Sequence, residues 1–146
     1  MTNKTILLGI MNRLKLSDSS FTERIVSQKT IYLLQEFGIQ TTYDFKWYNY
    51  GVYSRELADD MFSSTPSQIR TAVANSDVEA AIHKLTSFAD EDIKNPLFLE
   101  MASSILFIYK TNSLLKKDEV FEVLLSKKPH LDNRKQFDSI FEKLIS

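Results

Sequence analysis

Between Leu97 and Tyr109 ten of thirteen residues are apolar, and they fall on most sides of the helix that Asn95-Pro96 opens. A helix at the surface of a globular protein keeps one polar face, whereas a helix apolar nearly all round has to be covered from several directions. The segment is too short for the roughly 18 apolar residues of a membrane span. The chain is therefore expected to fold as a bundle with the Pro96–Lys110 helix through its middle, and Leu99, Ala102, Leu106 and Tyr109 among its most buried positions. If this helix lay at the surface instead, its apolar face would mark a homodimer interface.

The flanking segments supply helices to cover it. Ile6, Leu7, Ile10, Met11 and Leu14 recur at helical spacing from Thr5 to about Leu16. Ser20 and Glu23 have the spacing of a capping box that opens a second helix, which runs through Val26, Thr30, Leu33 and Leu34 to Phe37. Gly38 stands where a left-handed residue ends a helix, with Ile39 free to pack back on the last turn. From Pro66 to Asn75 a short helix and a small strand are both compatible with Ile69, Thr71, Ala72 and Val73. Ser76 or Asp77 can cap a helix faced by Val78, Ala81, Ile82 and Leu85. Asp118 opens another that Lys128-Pro129 ends, because proline disfavours a helical residue before it. Asp132 caps the last, with Phe137, Ile140, Phe141, Leu144 and Ile145 inward. Six or seven helices and one small β element result.

That β element lies in Tyr43–Phe62, where six of the first eleven residues are aromatic. Tyr43, Phe45 and Trp47 alternate with Asp44 and Lys46, which predicts a strand over Thr41–Tyr50 with one buried face and Trp47 at least mostly buried. Gly51 permits a positive φ at the following corner. Ser54 can cap a helix running to about Phe62, with Glu56 in its first turn, where the helix dipole favours a carboxylate.

Several chemistries are excluded by what the chain lacks. It has no cysteine, so disulfides and thiolate catalysis drop out. His83 and His130 are the only histidines and lie 47 positions apart, without the spacing that puts two metal ligands on one helix face. Three glycines cannot make a phosphate-cradling loop. Asp59-Asp60 and Asp90-Glu91-Asp92 read as capping or solvated carboxylates, since catalytic pairs need contrasting environments. No cofactor is expected. The apolar run Ile6–Met11 is too short for a signal peptide and is followed at once by Arg13 and Lys15, so a cytoplasmic protein without a membrane partner is expected.

Charge is segregated beneath a net of −1: 7 basic against 4 acidic side chains in residues 1–55, 3 against 9 in 56–100, and 8 against 6 in 101–146. A basic face built from both ends of the chain is one reading, ordinary solvated surface the other. Around the corner, Tyr48, Tyr50 and Tyr53 lie off the Tyr43–Phe45–Trp47 face, where a partner's side chains or bases can stack on them; filling the junction of strand and helices is the alternative. Gln28 and Lys29, polar in an otherwise apolar helix, face either solvent or the corner. Lys29 beneath Tyr48 or Tyr50 would make a cation–π anchor.

These segments, in this order, are similar to the YwgA-like family. Gln28-Lys29-Thr30-Ile31-Tyr32-Leu33-Leu34-Gln35 resembles its Gln-Lys helix. Phe45 to Ala58 resembles its aromatic strand, corner and following helix, with Val52 where that family usually has proline, which loosens the corner without moving it. Leu99-Glu100-Met101-Ala102-Ser103-Ser104 and the Lys128-Pro129 step resemble its later segments. More distantly, the helix-then-corner pattern is similar to the Panacea domain of SocA-type antitoxins. The resemblance implies a winged-helix-like helical domain of a prokaryote or mobile element, and binding rather than catalysis; it carries over no catalytic residue.

The sequence is thus expected to give a single domain over residues 1–146, mainly α with a small β element, as a winged-helix-like helical bundle. Its expected function is a non-enzymatic protein-binding module, antitoxin-like or a regulatory adaptor, with Lys29, Lys46, Tyr48, Tyr50, Tyr53 and Arg55 as the partner surface. The alternative is a winged-helix DNA-binding regulator. Asp59 and Asp60, close behind Arg55, weigh against DNA because they repel phosphates.

Overall fold

A computed structural model of the chain describes residues 1–145. Among them eight α-helices and one two-stranded hairpin follow in order: α1 (Asn3–Leu14), α2 (Phe21–Glu36), β1 (Lys46–Tyr48), β2 (Gly51–Tyr53), α3 (Arg55–Phe62), α4 (Pro66–Thr71), α5 (Ser76–Ala89), α6 (Pro96–Thr111), α7 (Lys117–Lys127) and α8 (Arg134–Ile145). Single 3-10 turns sit at Asp90–Asp92 and Pro129–Leu131. No helix of the described residues is long and apolar enough to cross a membrane.

The apolar circumference of α6 is satisfied as its pattern demands. Asn95 caps it, its side-chain oxygen accepting from the N–H groups of Leu97 and Phe98. α2, β2, α7 and α8 cover it on different sides, and Leu99, Met101, Ala102, Ile105 and Leu106 are buried. Tyr109 departs from expectation: it is half-buried, its ring set edge-on against Phe141 of α8 with centroids 6.2 Å apart. An internal α6 also removes the reason to expect a dimer through its apolar face.

Local caps explain most helix boundaries, and several lie one to three residues from where the sequence put them. Thr2 rather than Thr5 begins α1, accepting from the Thr5 N–H, and Lys15 ends it at φ 57°. Asn75 caps α5, ahead of Ser76 and Asp77. Asn133, not Asp132, serves α8 by accepting from the Gln136 N–H at 3.1 Å. The Ser20 capping box is half realised. Ser20 accepts from the Glu23 N–H, but the Glu23 carboxylate takes the hydroxyls of Ser19 and Ser20 instead of a backbone N–H. Thr65 and Gln68 form a complete box at α4, which settles that stretch as helix rather than strand. Gly38, at φ 118°, ends α2 as expected, and Ile39 is buried behind it.

The largest difference lies at the aromatic corner. One strand from Thr41 to Tyr50 is replaced by a hairpin in which Lys46 pairs with Tyr53, Trp47 with Val52 and Tyr48 with Gly51. The alternation of faces survives along the extended chain: Tyr43 is buried, Phe45 and Trp47 are half-buried, and Asp44, Lys46 and Tyr48 are exposed. Val52 explains the reversal. It is fully buried against α2 and α6, so the chain gains by doubling back after Asn49-Tyr50 to place it there. Neither Asn49 nor Tyr50 takes a positive φ, so the loop is not the primed kind that most two-residue hairpins use. The positive φ, 89°, falls on Gly51.

Candidate functional site

A two-stranded hairpin is marginal in water on its own. Here α2 supplies what a third strand would. Gln28 lies in its buried face and its side-chain amide engages both backbone groups of Ser54, donating to the carbonyl and accepting from the N–H, each at 2.9 Å. Gln35, seven residues on and therefore on the same face, treats Tyr43 alike: its amide nitrogen donates to the Tyr43 carbonyl at 2.9 Å and its oxygen accepts from the Tyr43 N–H at 3.0 Å. Between them, Lys29 donates to the carbonyls of Tyr50 at 2.7 Å and Val52 at 2.6 Å. The chain from Tyr43 to Ser54 is thus pinned at both ends and in the turn by side chains of one helix.

A second ammonium closes the turn from the other side. Lys128, at the residue before Pro129, donates to the Asn49 carbonyl at 3.3 Å and pairs with Glu100 of α6 at 3.3 Å. Glu100 also meets the His130 ring at 2.9 Å. A Cβ on Gly51 would come within 3.3 Å of the Lys29 nitrogen, so glycine serves both the φ and the close approach. Gln28, Lys29, the aromatic corner, Glu100 and Lys128 meet at this one place.

Lys29 is only 1% exposed and, among the described residues, has no carboxylate in direct contact. Burial pulls its pKa down to about 8, with Glu100 opposing and Lys128 adding to the shift. It is therefore not a surface contact, which corrects its place in the expected partner surface: the helix that carries it is interior from Val26 to Leu34. Nor does it form the expected cation–π contact with Tyr48 or Tyr50. That role falls to Lys127 and Lys128, whose nitrogens lie 5.3 and 5.8 Å from the centre of the Trp47 ring.

With its backbone fixed from behind, the hairpin presents rings to solvent. Tyr48 is 47% and Tyr50 58% exposed, and Phe21, at the first turn of α2, is 51% exposed. They border a cleft of about 410 Å³ with Phe21, Arg24 and Ile25 on the α2 wall and Tyr48, Asn49, Tyr50 and Tyr53 on the hairpin wall. The rings meet edge to face across it and along it: Phe21 with Tyr50 at 5.0 Å, Tyr48 with Tyr53 at 5.5 Å between centroids. Such pairs hold rings in defined orientations without closing the cleft.

Of the expected surface, the structure brings Tyr48, Tyr50 and Tyr53 together and leaves Lys46 and Arg55 off the cleft lining. Lys46 is exposed and forms an ion pair at 3.5 Å with the equally exposed Asp44, a contact of little energetic value. Arg55 is exposed at the start of α3. Phe21, Arg24 and Ile25 were missed. Phe21 sits directly after the Ser20 cap, and its four-residue spacing to Ile25 and Lys29 was the signal that could have placed it beside the corner. Asp60, expected as a capping or solvated carboxylate, is engaged by a side chain: the Tyr43 hydroxyl donates to it at 2.7 Å, and burial together with that bond raises the phenol's pKa well above its usual value. Among the described residues no group of His, Asp and Glu is placed to hold a metal ion. No family model, curated protein or solved structure matches this chain.

Proposed function

We propose that this chain is a non-enzymatic protein-binding module, an antitoxin-like protein or regulatory adaptor, whose partner places side chains in the cleft between Phe21 and the hairpin tyrosines. The observation that carries the reading is the contrast within the hairpin: a backbone held by Gln28, Lys29 and Lys128, and side chains left open. Binding surfaces concentrate energy in aromatic anchors near a desolvated centre, and affinity is gained when those anchors are ordered before the partner arrives. The same architecture, a hairpin following a helix, is what the winged-helix likeness would require. The DNA-binding version is the weaker one. A groove-reading helix has to present side chains to base edges, whereas α2 is buried from Val26 to Leu34, and α3 exposes Glu56 and Asp59.

The test is site-specific photo-crosslinking in the cells the protein comes from, with the reactive group at Tyr48 and, as a control, at Phe62, which is 86% exposed far along α3. A discrete protein adduct from Tyr48 and none from Phe62 is the expected result. Equal, diffuse labelling from both positions would sink the reading. A mobility shift of duplex DNA that persists at about 0.15 M salt and fades steeply above it would put the winged-helix version first.

A further inference from the structure

We infer that the segment recognised by the cleft carries a carboxylate beside one aromatic or aliphatic side chain, the apolar group packing on the rings of Phe21 and the tyrosines that line the cleft and the carboxylate meeting Arg24. The inference rests on the protein-binding reading and adds the chemistry of the partner.

Arg24 is the one charged side chain in the cleft lining, and it is exposed. Its guanidinium donates to the Asp18 backbone carbonyl at 3.2 Å, a neutral acceptor, and no carboxylate pairs with it among the described residues. A guanidinium with most of its donors unspent fits a carboxylate in a two-pronged geometry that a neutral group cannot match. Positive charge also lies behind the hairpin wall. Phe21, Ile25 and Lys29 follow at four-residue spacing on α2, so the buried ammonium of Lys29 stands one turn further along the helix face whose first two positions line the cleft. Lys128 stands behind the Asn49 carbonyl. Against these two cations there is, among the described residues, one carboxylate, Glu100, already shared with His130. Charges in a poorly solvated interior act over longer distances than they would in water. Burial lowers the pKa of Lys29, with Glu100 working against that shift and Lys128 adding to it.

The competing chemistry is a cationic ligand, because clustered aromatic rings attract quaternary ammonium groups. Arg24, Lys29 and Lys128 oppose it. An acid and a cation of the same shape therefore separate the two.

The experiment uses the full chain and three matched probes, 3-phenylpropionate, 3-phenylpropionamide and 3-phenylpropyl-trimethylammonium, followed by amide NMR shifts. The expected result is that phenylpropionate moves the Phe21–Ile25 and Tyr48–Tyr53 signals and binds about tenfold more tightly than the amide, the scale of one hydrogen-bonded charge pair. Arg24→Gln, at an exposed position, should bring the acid down to the amide's affinity. If the amide binds as well as the acid, or the cation binds best, the inference falls and the protein-binding reading stands. If none of the three moves the cleft signals, the cleft is not an apolar recognition site and both fall.

Discussion

α6 and the hairpin lie against each other, and they are held by opposite means. α6 is fixed by burial: its side chains meet α2, β2, α7 and α8, and substituting one apolar group for another of like volume would change little. The hairpin has three residues per strand and one fully buried apolar side chain, Val52. It is fixed by named donors and acceptors on α2 and at Lys128. Apolar burial is non-directional and tolerant. A buried amide or ammonium bonded to a carbonyl is directional, and losing one partner leaves the other stranded. The comparison teaches that the core sets where the hairpin sits, while a few polar side chains set its conformation, and that conformation builds the cleft.

The largest effect should come from the core. Leu99→Ala removes a fully buried side chain in the first turn of α6 and should cost about 2–5 kcal/mol of unfolding free energy, measured by denaturant titration. The loss should be global, with hairpin and helix signals melting together. A loss below about 1 kcal/mol would mean that α6 is not the centre of the packing.

The next effect belongs to Lys29 and has a definite sign in pH. Its folded pKa, about 8, lies below that of an unfolded lysine, so between these values the unfolded chain binds the additional proton. Stability should therefore rise as pH increases from 8 towards 10, by roughly 2–3 kcal/mol. The buried phenols of Tyr32 and Tyr43, raised by burial, act in the other direction only above pH 10, where they would ionise in the unfolded state. Lys29→Met should flatten the rise and, by stranding the Tyr50 and Val52 carbonyls, speed amide exchange in the hairpin more than in α6. A rise that survives in Lys29→Met would belong to some other group.

Gln28→Ala should follow, at about 2 kcal/mol, because it leaves the buried N–H of Ser54 without a partner and its carbonyl with only the Ala58 N–H. Here too the hairpin should loosen before the helices, as read by hydrogen exchange. Uniform exchange across the protein would erase the distinction between the two regions.

The sequence made the core legible and the hairpin only half so, for the same reason. Periodicity reports burial, and burial is what holds α6, so Leu99, Ala102 and Leu106 could be placed from spacing alone. Tyr109 was misjudged because the helix pattern does not tell a ring at the bundle edge from one at its centre. At the corner, alternation found the right face for Tyr43, Phe45 and Trp47, and Gly51 and Ser54 fell in their expected roles. The return strand was missed because Gly51–Tyr53 is too short to show a period, and what stabilises it comes from Gln28 and Lys29, more than 20 residues earlier. Their polarity could be read as a sign of exposure or of burial with partners; only contacts decide. The cleft was missing half its members for a similar reason, since the spacing of Phe21, Ile25 and Lys29 puts them on one helix face without showing that Tyr50 lies against it.

The smallest effect on stability should come from Tyr50→Ala, and that smallness sharpens the comparison most. The ring is 58% exposed and packs edge-on against Phe21, while the residue's carbonyl is held by Lys29 whatever the side chain. An exposed aromatic pair of this kind contributes less than about 1 kcal/mol. The helices and the hairpin amides should therefore behave as in the parent protein. The cleft, however, loses one wall, and photo-crosslinking from Tyr48 should fall about tenfold or more, as truncation of a central aromatic anchor does at an interface. Phe62→Ala, at a site more exposed still, should change neither stability nor crosslinking. If Tyr50→Ala instead lowers stability by about 2 kcal/mol or more, the ring belongs to the fold's own packing, and the division between a held backbone and open side chains does not exist at this hairpin.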